Sequence, residues 1–482
     1  MSFHDATRLL VLALGEAQVR TDEASRFAAS FDNSRFSFMP DAVVQPRDEA
    51  DVAHTLRLAN AHHVPLTIRG AGSGCAGGAA PLRGGWVLQL AHWRGIEVDS
   101  AASLAIVQPG ALTGDIDAEA AKHGLFYPPD PSSVKYCSIG GNIATNAGGL
   151  RAAKYGVCRD YIYGLEGFLP TGEFVRWGGA VRKCVSGYNI KDLWIGSEGT
   201  LGIITKAVLK LLPRPLARHT FLLACESDER ALEAAKALLA QHVVPSVLEF
   251  LDTQTVTCAE RRNGRPLFQE SEMGGLTQAA VLLVELDGHP ASVAEDVQRV
   301  RTWAKQSARI YRETGDSAEA ERLWNIRRTC SQAMFLLGNA KLNEDVVVPL
   351  SGYVPLLQFT REIMARTGLA TPTFGHAADG NFHIHIMYDR DDPRQCKQAE
   401  EGIRLMMGKV VALGGVITGE HGIGITKSPF LRLQHTGAEI NAMQSIKHAL
   451  DPNGILAPGQ IFEVTNIWDL RPVKVSLPWD KH

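Results

Sequence analysis

Five residues in the C-terminal half have types and spacings that could do chemistry. Phe374-Gly-His-Ala-Ala-Asp-Gly-Asn-Phe-His-Ile-His-Ile386 carries His376, His383 and His385. His383 and His385 are two apart, so on a strand they point to one face. His376 stands earlier, across a glycine turn that can fold it back. Thr418-Gly-Glu-His-Gly-Ile-Gly424 adds Glu420 and His421 on a loop. Two imidazoles and a carboxylate suit zinc or another divalent metal that keeps an open position. The plainer reading is a set of loop and strand histidines bonded to backbone.

A second chemistry is written in glycine. Arg69-Gly-Ala-Gly-Ser-Gly-Cys-Ala-Gly-Gly78 contains Gly72-x-Gly74-x-x-Gly77, the spacing of a dinucleotide fingerprint. A Rossmann site also needs a helix opening at the third glycine, so that a pyrophosphate meets its N-terminus. Pro81, Arg83, Gly84 and Gly85 follow instead. That leaves a nest of backbone N–H groups able to hold a phosphate, or a tight glycine turn. Ser138-Ile-Gly-Gly-Asn-Ile-Ala-Thr-Asn-Ala-Gly-Gly149 follows the rigid turn Tyr127-Pro-Pro-Asp-Pro131. Its glycines admit close ligand approach, and its asparagines offer donor and acceptor alike. Trp194-Ile-Gly-Ser-Glu-Gly-Thr-Leu-Gly202 is a third such loop. Three in one half of a chain suit a large, extended dinucleotide.

The elements that must position these groups are legible in outline. Residues 1–35 read as helical. Pro40-Asp-Ala-Val-Val-Gln-Pro46 reads as a strand, and Asp48 as the N-cap of a helix carrying Val52, Leu56 and Ala59. Val64–Ile68 is the next strand. Further strands are expected at Trp86–Leu90, Ala105–Val107, Gly202–Thr205 and Ala207–Leu211, and Leu212-Pro-Arg-Pro215 reads as a hinge. Beyond it come helices at Ser227–Gln241, Ser292–Ser307 and Val354–Arg366 and a strand at Ala280–Glu285, which suggests a second α+β domain. The division expected is an N-terminal segment 1–35, a cofactor domain 36–215, a substrate domain 216–445 and a C-terminal segment 446–482.

Composition bounds the reading. At 482 residues and 45% hydrophobic content, the chain can build two or more cores. A net charge of −3 with no basic stripe argues against nucleic acid. The eight cysteines form no Cys-x-x-Cys pair, which suits free thiols in a reducing compartment, not a cluster or a disulfide scaffold. Leu9–Leu14 lacks the flanks of a signal peptide, and no run approaches the ~20 apolar residues of a membrane span. A cytoplasmic location is expected, with peripheral membrane contact left open.

The order of these motifs resembles the FAD-binding domain of the vanillyl-alcohol oxidase and p-cresol methylhydroxylase superfamily. The branch resembled is that of D-lactate dehydrogenases, the glycolate oxidase FAD subunit and D-2-hydroxyglutarate dehydrogenases. The likeness runs over residues 36–462, through 40–46, 69–78, 138–149, 196–204, 376–383 and 419–424. It implies an α+β, two-domain FAD-binding fold of the p-cresol methylhydroxylase type with an α+β substrate (cap) domain. It implies a pyrophosphate cradle at Arg69, Gly70, Ala71, Gly72, Ser73 and Gly74. Flavin contacts are implied near Pro129, Asp130, Ser138, Gly141 and Asn142, with Gly148, Gly149 and Ile204 also lining the cofactor. Residues 69–78 contain no histidine for covalent attachment, so non-covalent FAD is expected. The tail departs from the pattern: Ala457 stands where similar sequences carry an asparagine near the flavin.

In the other half the resemblance implies His376, His383 and Glu420 as ligands of a divalent metal, zinc or manganese, and His421 as catalytic base. An imidazole titrating near about 6.5 can accept a hydroxyl proton at neutral pH. Leu323-Trp-Asn-Ile-Arg-Arg328 is similar to the family segment whose arginine grips a carboxylate, which points to Arg327; alone, it would read as a surface-helix arginine. Ser331, Lys341 and His385 are further substrate candidates. The activity implied is oxidation of a D-2-hydroxy acid, D-lactate or glycolate favoured, with hydride passing to flavin N5. Electrons would leave to a cytochrome, quinone, electron-transfer flavoprotein or iron–sulfur subunit, and a homodimer is allowed. The rival readings are D-2-hydroxyglutarate oxidation, a metal-dependent hydrolase, and a non-catalytic FAD subunit of a larger oxidase.

Overall fold

The computed structural model describes residues 3–269, 272, 278–470, 472–475 and 477. The last residues of the expected C-terminal segment, 478–482, lie outside the described residues. The chain divides into two units. The first comprises 1–148, 157–213 and 420–482, and the second 149–156 and 214–419. The expected second domain, 216–445, extends past the crossing at Gly419–Glu420. The reason is visible at the helix Gly437–Leu450, whose Lys447 Nζ donates to the Thr200 and Leu456 carbonyls of the first unit.

The first unit opens as its sequence suggests. Asp48 caps the helix Glu49–His62 by accepting the Asp51 N–H at 3.0 Å, and His63 ends it in the left-handed region at φ 51°. Val52, Leu56 and Ala59 are buried with Leu66, Trp86 and Leu88 in one core. Each valine or leucine among them contributes about 1.5–3 kcal/mol on burial. Strands Ala42–Val44, Trp86–Gln89 and Leu66–Arg69 pair in parallel, with Val19–Arg20 antiparallel at the edge. No helix follows the strand Leu66–Arg69; the chain turns through residues 70–85 into Trp86–Gln89, so the Rossmann arrangement is missing there. A five-stranded antiparallel sheet orders Ile96–Asp99, Leu104–Val107, Ile203–Lys210, Ile162–Phe168 and Phe174–Gly178. The two strands expected at 202–205 and 207–211 are one, Ile203–Lys210, whose pairing slips between Ile204 and Lys206.

The second unit is built on a seven-stranded antiparallel sheet. Its order is Ile310–Thr314, Ala217–Cys225, Ala280–Gly288, Val247–Leu251, Thr373–His376, Asn381–Tyr388 and Ala340–Val347. Val247–Leu251 and Asn381–Tyr388 are buried along their whole length, so polar side chains on them must find partners inside. Helices Asp228–Leu239, Thr253–Asn263, Pro290–Ser307, Ser317–Ala333, Tyr353–Thr367 and Pro393–Ala412 cover the sheet. No helix among the described residues is long and apolar enough to cross a membrane.

Candidate active site

In the first unit the glycine loops line one cavity. It encloses about 1510 Å³ of atom-free space, part of it open to solvent. Arg69, Gly70, Ala71, Gly72, Ser73 and Gly74 form one wall, and Ser138, Gly141, Asn142 and Ile204 contribute others. The cradle is built from beneath. Arg69 is buried under the loop, donating through Nη1 to the Phe31 carbonyl at 2.6 Å. Gly72 sits at φ +69°, and a Cβ there would stand 2.3 Å from the Arg69 guanidinium. Ser138 joins two glycine segments by accepting the Ala71 N–H at 3.1 Å. Asn142 is committed to scaffolding, donating to Thr113 Oγ1 at 2.6 Å. A glycine-lined wall allows the close backbone approach that a pyrophosphate needs.

Four other expected contacts fall elsewhere. Pro129 and Asp130 are not among the residues lining this cavity, though Pro131 is. Gly148 backs onto Glu420, whose Oε2 lies 3.0 Å from where a Gly148 Cβ would be. Gly149 opens the short segment that belongs to the second unit.

Glu420 and His421 line the same cavity as the glycine cradle. Their loop is held by Glu198, a residue of the glycine-rich segment Trp194–Gly202. Glu198 accepts the Ile423 and Gly424 N–H groups, both at 2.8 Å. Burial pushes its carboxyl up to about 7, against the lowering effect of those two N–H groups. Glu198 itself sits at φ +53°, a conformation costly for a non-glycine residue.

In the second unit the histidine segment meets partners that its sequence does not announce. Glu249 is fully buried and binds both Arg327 Nε and His376 Nδ1. Burial would raise its pKa, but the Arg327 and His376 charges prevail and hold it below the ordinary glutamate value. His376 and His383 lie with ring centroids 5.4 Å apart, and Arg327 stacks on Phe374 at 4.5 Å. An imidazole oriented through Nδ1 by a carboxylate is also the usual supporting arrangement of a metal-ligating histidine. Asp345 stands directly opposite His383 across the strand pair.

The substrate candidates lie around the same sheet. Lys341 Nζ donates to Ser331 Oγ at 2.7 Å, so these two are paired with each other. His385 is fully buried, stacks on Phe374 at 5.0 Å, and neither ring nitrogen has a hydrogen-bond partner. Burial, then the Lys341 and Arg327 charges, drive its pKa well below the usual histidine value and keep it neutral. A buried neutral imidazole with no partner is costly unless a ligand supplies one.

Comparison with known proteins agrees with this geometry. Residues 40–178 match the model of the FAD binding domain, and residues 214–461 match that of FAD linked oxidases, C-terminal domain. The glycolate oxidase subunit GlcD of Bacillus subtilis is 37% identical, over 95% of this chain and 97% of its own. A D-lactate dehydrogenase of Anaerostipes hadrus is 34% identical over 88% of this chain and 89% of its own. Among solved structures, substrate-bound p-cresol methylhydroxylase superposes with a TM-score of 0.78 at 19% identity, covering 96% of this chain and 97% of that one. The 4-ethylphenol oxidase of Gulosibacter chungangensis gives 0.77 at 20%, covering 96% and 98%. With a glycine-lined cavity in the first unit and both domain models matched, the chain belongs to the FAD-linked oxidases and has the two-domain FAD-binding fold of p-cresol methylhydroxylase.

Proposed function

We propose that this protein oxidises a small D-2-hydroxy acid, D-lactate or glycolate foremost, to the 2-oxo acid and passes the electrons to a separate, non-nicotinamide acceptor. The observation that carries this reading is the placement of His421 on the wall of the cofactor cavity, where a base next to a flavin is needed. The names of the relatives, glycolate oxidase subunit and D-lactate dehydrogenase, point the same way. Bound FAD supplies the two-electron acceptor for the C2 hydrogen. His421 takes the hydroxyl proton. Arg327, held at Nε by Glu249, is the candidate cation for the substrate carboxylate. His385 offers a neutral ring nitrogen to a polar atom of the substrate. His376, His383 and Glu420 would hold a divalent cation, zinc or manganese, whose charge eases removal of the hydroxyl proton. Metal hydrolysis leaves the glycine cavity without a role.

The test is anaerobic bleaching of the FAD-loaded protein against a panel of D- and L-2-hydroxy acids. Bleaching by D-lactate or glycolate is expected. A flavin that stays oxidised with every acid of the panel would overturn the reading.

A further inference from the structure

The segment Thr418–Gly424 is where the chain crosses from the second unit to the first, and it carries Glu420 and His421. Each end is tied to a buried carboxylate. On one side, Asp345 Oδ2 accepts the Thr418 hydroxyl and the Gly419 N–H, both at 2.9 Å. Asp345 is fully buried, and its Oδ1 accepts Asn381 Nδ2 at 2.6 Å. On the other side, Glu198 receives the Ile423 and Gly424 N–H groups on separate oxygens. Gly422, at φ +85°, lets the backbone pass within reach: a Cβ there would stand 3.0 Å from the Glu198 carboxyl carbon. Charge-assisted bonds to backbone N–H groups are roughly twice as strong as neutral ones. Only residues 420–422 lie between the two attachments.

We propose that Asp345 and Glu198 are positioning residues, which clamp the backbone on either side of Glu420 and His421 and fix where those side chains point. Neither does chemistry itself; each acts through the pair it holds. The proposal rests on the role given above to His421. A misplacement of about 1 Å in a catalytic group can cost about a hundredfold in rate. The isosteric changes Asp345→Asn and Glu198→Gln each set an amide donor against a donor on one side of the clamp.

The test uses the FAD-loaded full chain and two readouts. Hydrogen exchange of the peptide spanning 418–424 should accelerate at Gly419 in D345N and at Ile423 and Gly424 in E198Q. The limiting rate of flavin reduction should fall about tenfold to a hundredfold, while the half-saturating acid concentration stays near that of the wild type because Arg327 is untouched. Placed in a background lacking both side chains of the pair, E420Q with H421A, neither change should lower the rate further, since both act through that pair. Thr418→Val, which removes one donor and keeps the carboxylate, gives the same direction with smaller size if D345N does not fold. Unchanged exchange in this segment, or additive losses in the background lacking both Glu420 and His421, would overturn the proposal. If the wild type reduces its flavin with no acid, the functional reading fails, and the exchange measurement still decides whether the clamp exists.

Discussion

Glu249 lies directly opposite His376 across the antiparallel pair of Val247–Leu251 and Thr373–His376, and its carboxylate meets the imidazole at Nδ1. The same carboxylate holds Arg327. One buried acid therefore orients a candidate metal ligand and a candidate substrate cation. Breaking a buried pair by removing one partner costs about 3–5 kcal/mol. We expect Glu249→Gln to lower the melting temperature by roughly 5–15 °C and to reduce bound metal, read by elemental analysis. In the wild type, EDTA should abolish activity and zinc or manganese should restore it; indifference to chelation with no metal present removes the metal assignment.

His421→Ala should leave FAD bound, judged by its absorbance, while flavin reduction slows by about 10²–10⁴-fold, the usual contribution of a general base. Near-normal reduction would sink the base assignment.

Gly72→Ala should weaken FAD retention. The position needs φ +69° and has no room for a Cβ above the Arg69 guanidinium. The left-handed conformation alone costs about 1–2 kcal/mol for an L-residue, or about a tenfold loss of affinity. The ratio of flavin to protein absorbance after dialysis reads this directly.

Ala457 occupies φ +42°, another left-handed position, and its N–H donates to the Leu66 carbonyl at 2.8 Å. Asparagine tolerates this region better than alanine. Ala457→Asn should therefore stabilise the protein by up to about 1 kcal/mol, seen as a higher melting temperature; a lower one would refute the backbone argument.

Asp252 caps the helix Thr253–Asn263 and accepts Thr255 and Thr373 N–H groups on different oxygens. Burial, with Asp228 nearby, raises its pKa from 3.8 to about 7. The folded state thus keeps a proton that the unfolded chain releases. Its contribution is fully present below the unfolded pKa and is lost as pH rises from about 4 to about 7. Asp252→Asn should be less stable than wild type at pH 4, having lost one N–H acceptor, and the gap should narrow between about pH 4 and about pH 7 and stay level above it. Denaturant titrations across that range check the sign; a gap that widens with pH contradicts it.

Much of the site is visible in the chain because it is local. The glycine cradle, the capped helix at Asp48 and the shared face of His383 and His385 each follow from neighbours a few residues apart, where steric freedom, hydrogen-bond reach and strand periodicity act directly. The family pattern adds Arg327 and His421 by the same local spellings. Glu249, Asp345 and the clamping role of Glu198 have no such signature. Each is a single carboxylate in a strand or turn, and its partners stand far along the chain: His376 is 127 residues from Glu249, and Gly424 is 226 from Glu198.

The amino-acid sequence by itself offered glycine loops that suit a dinucleotide, and histidines, a glutamate and an arginine available for chemistry. Only the tertiary structure decided which acids hold them. Sheet order and register set Glu249 against His376 and Asp345 against His383. Burial then made those pairings necessary, because a charged group removed from water must find its partner inside.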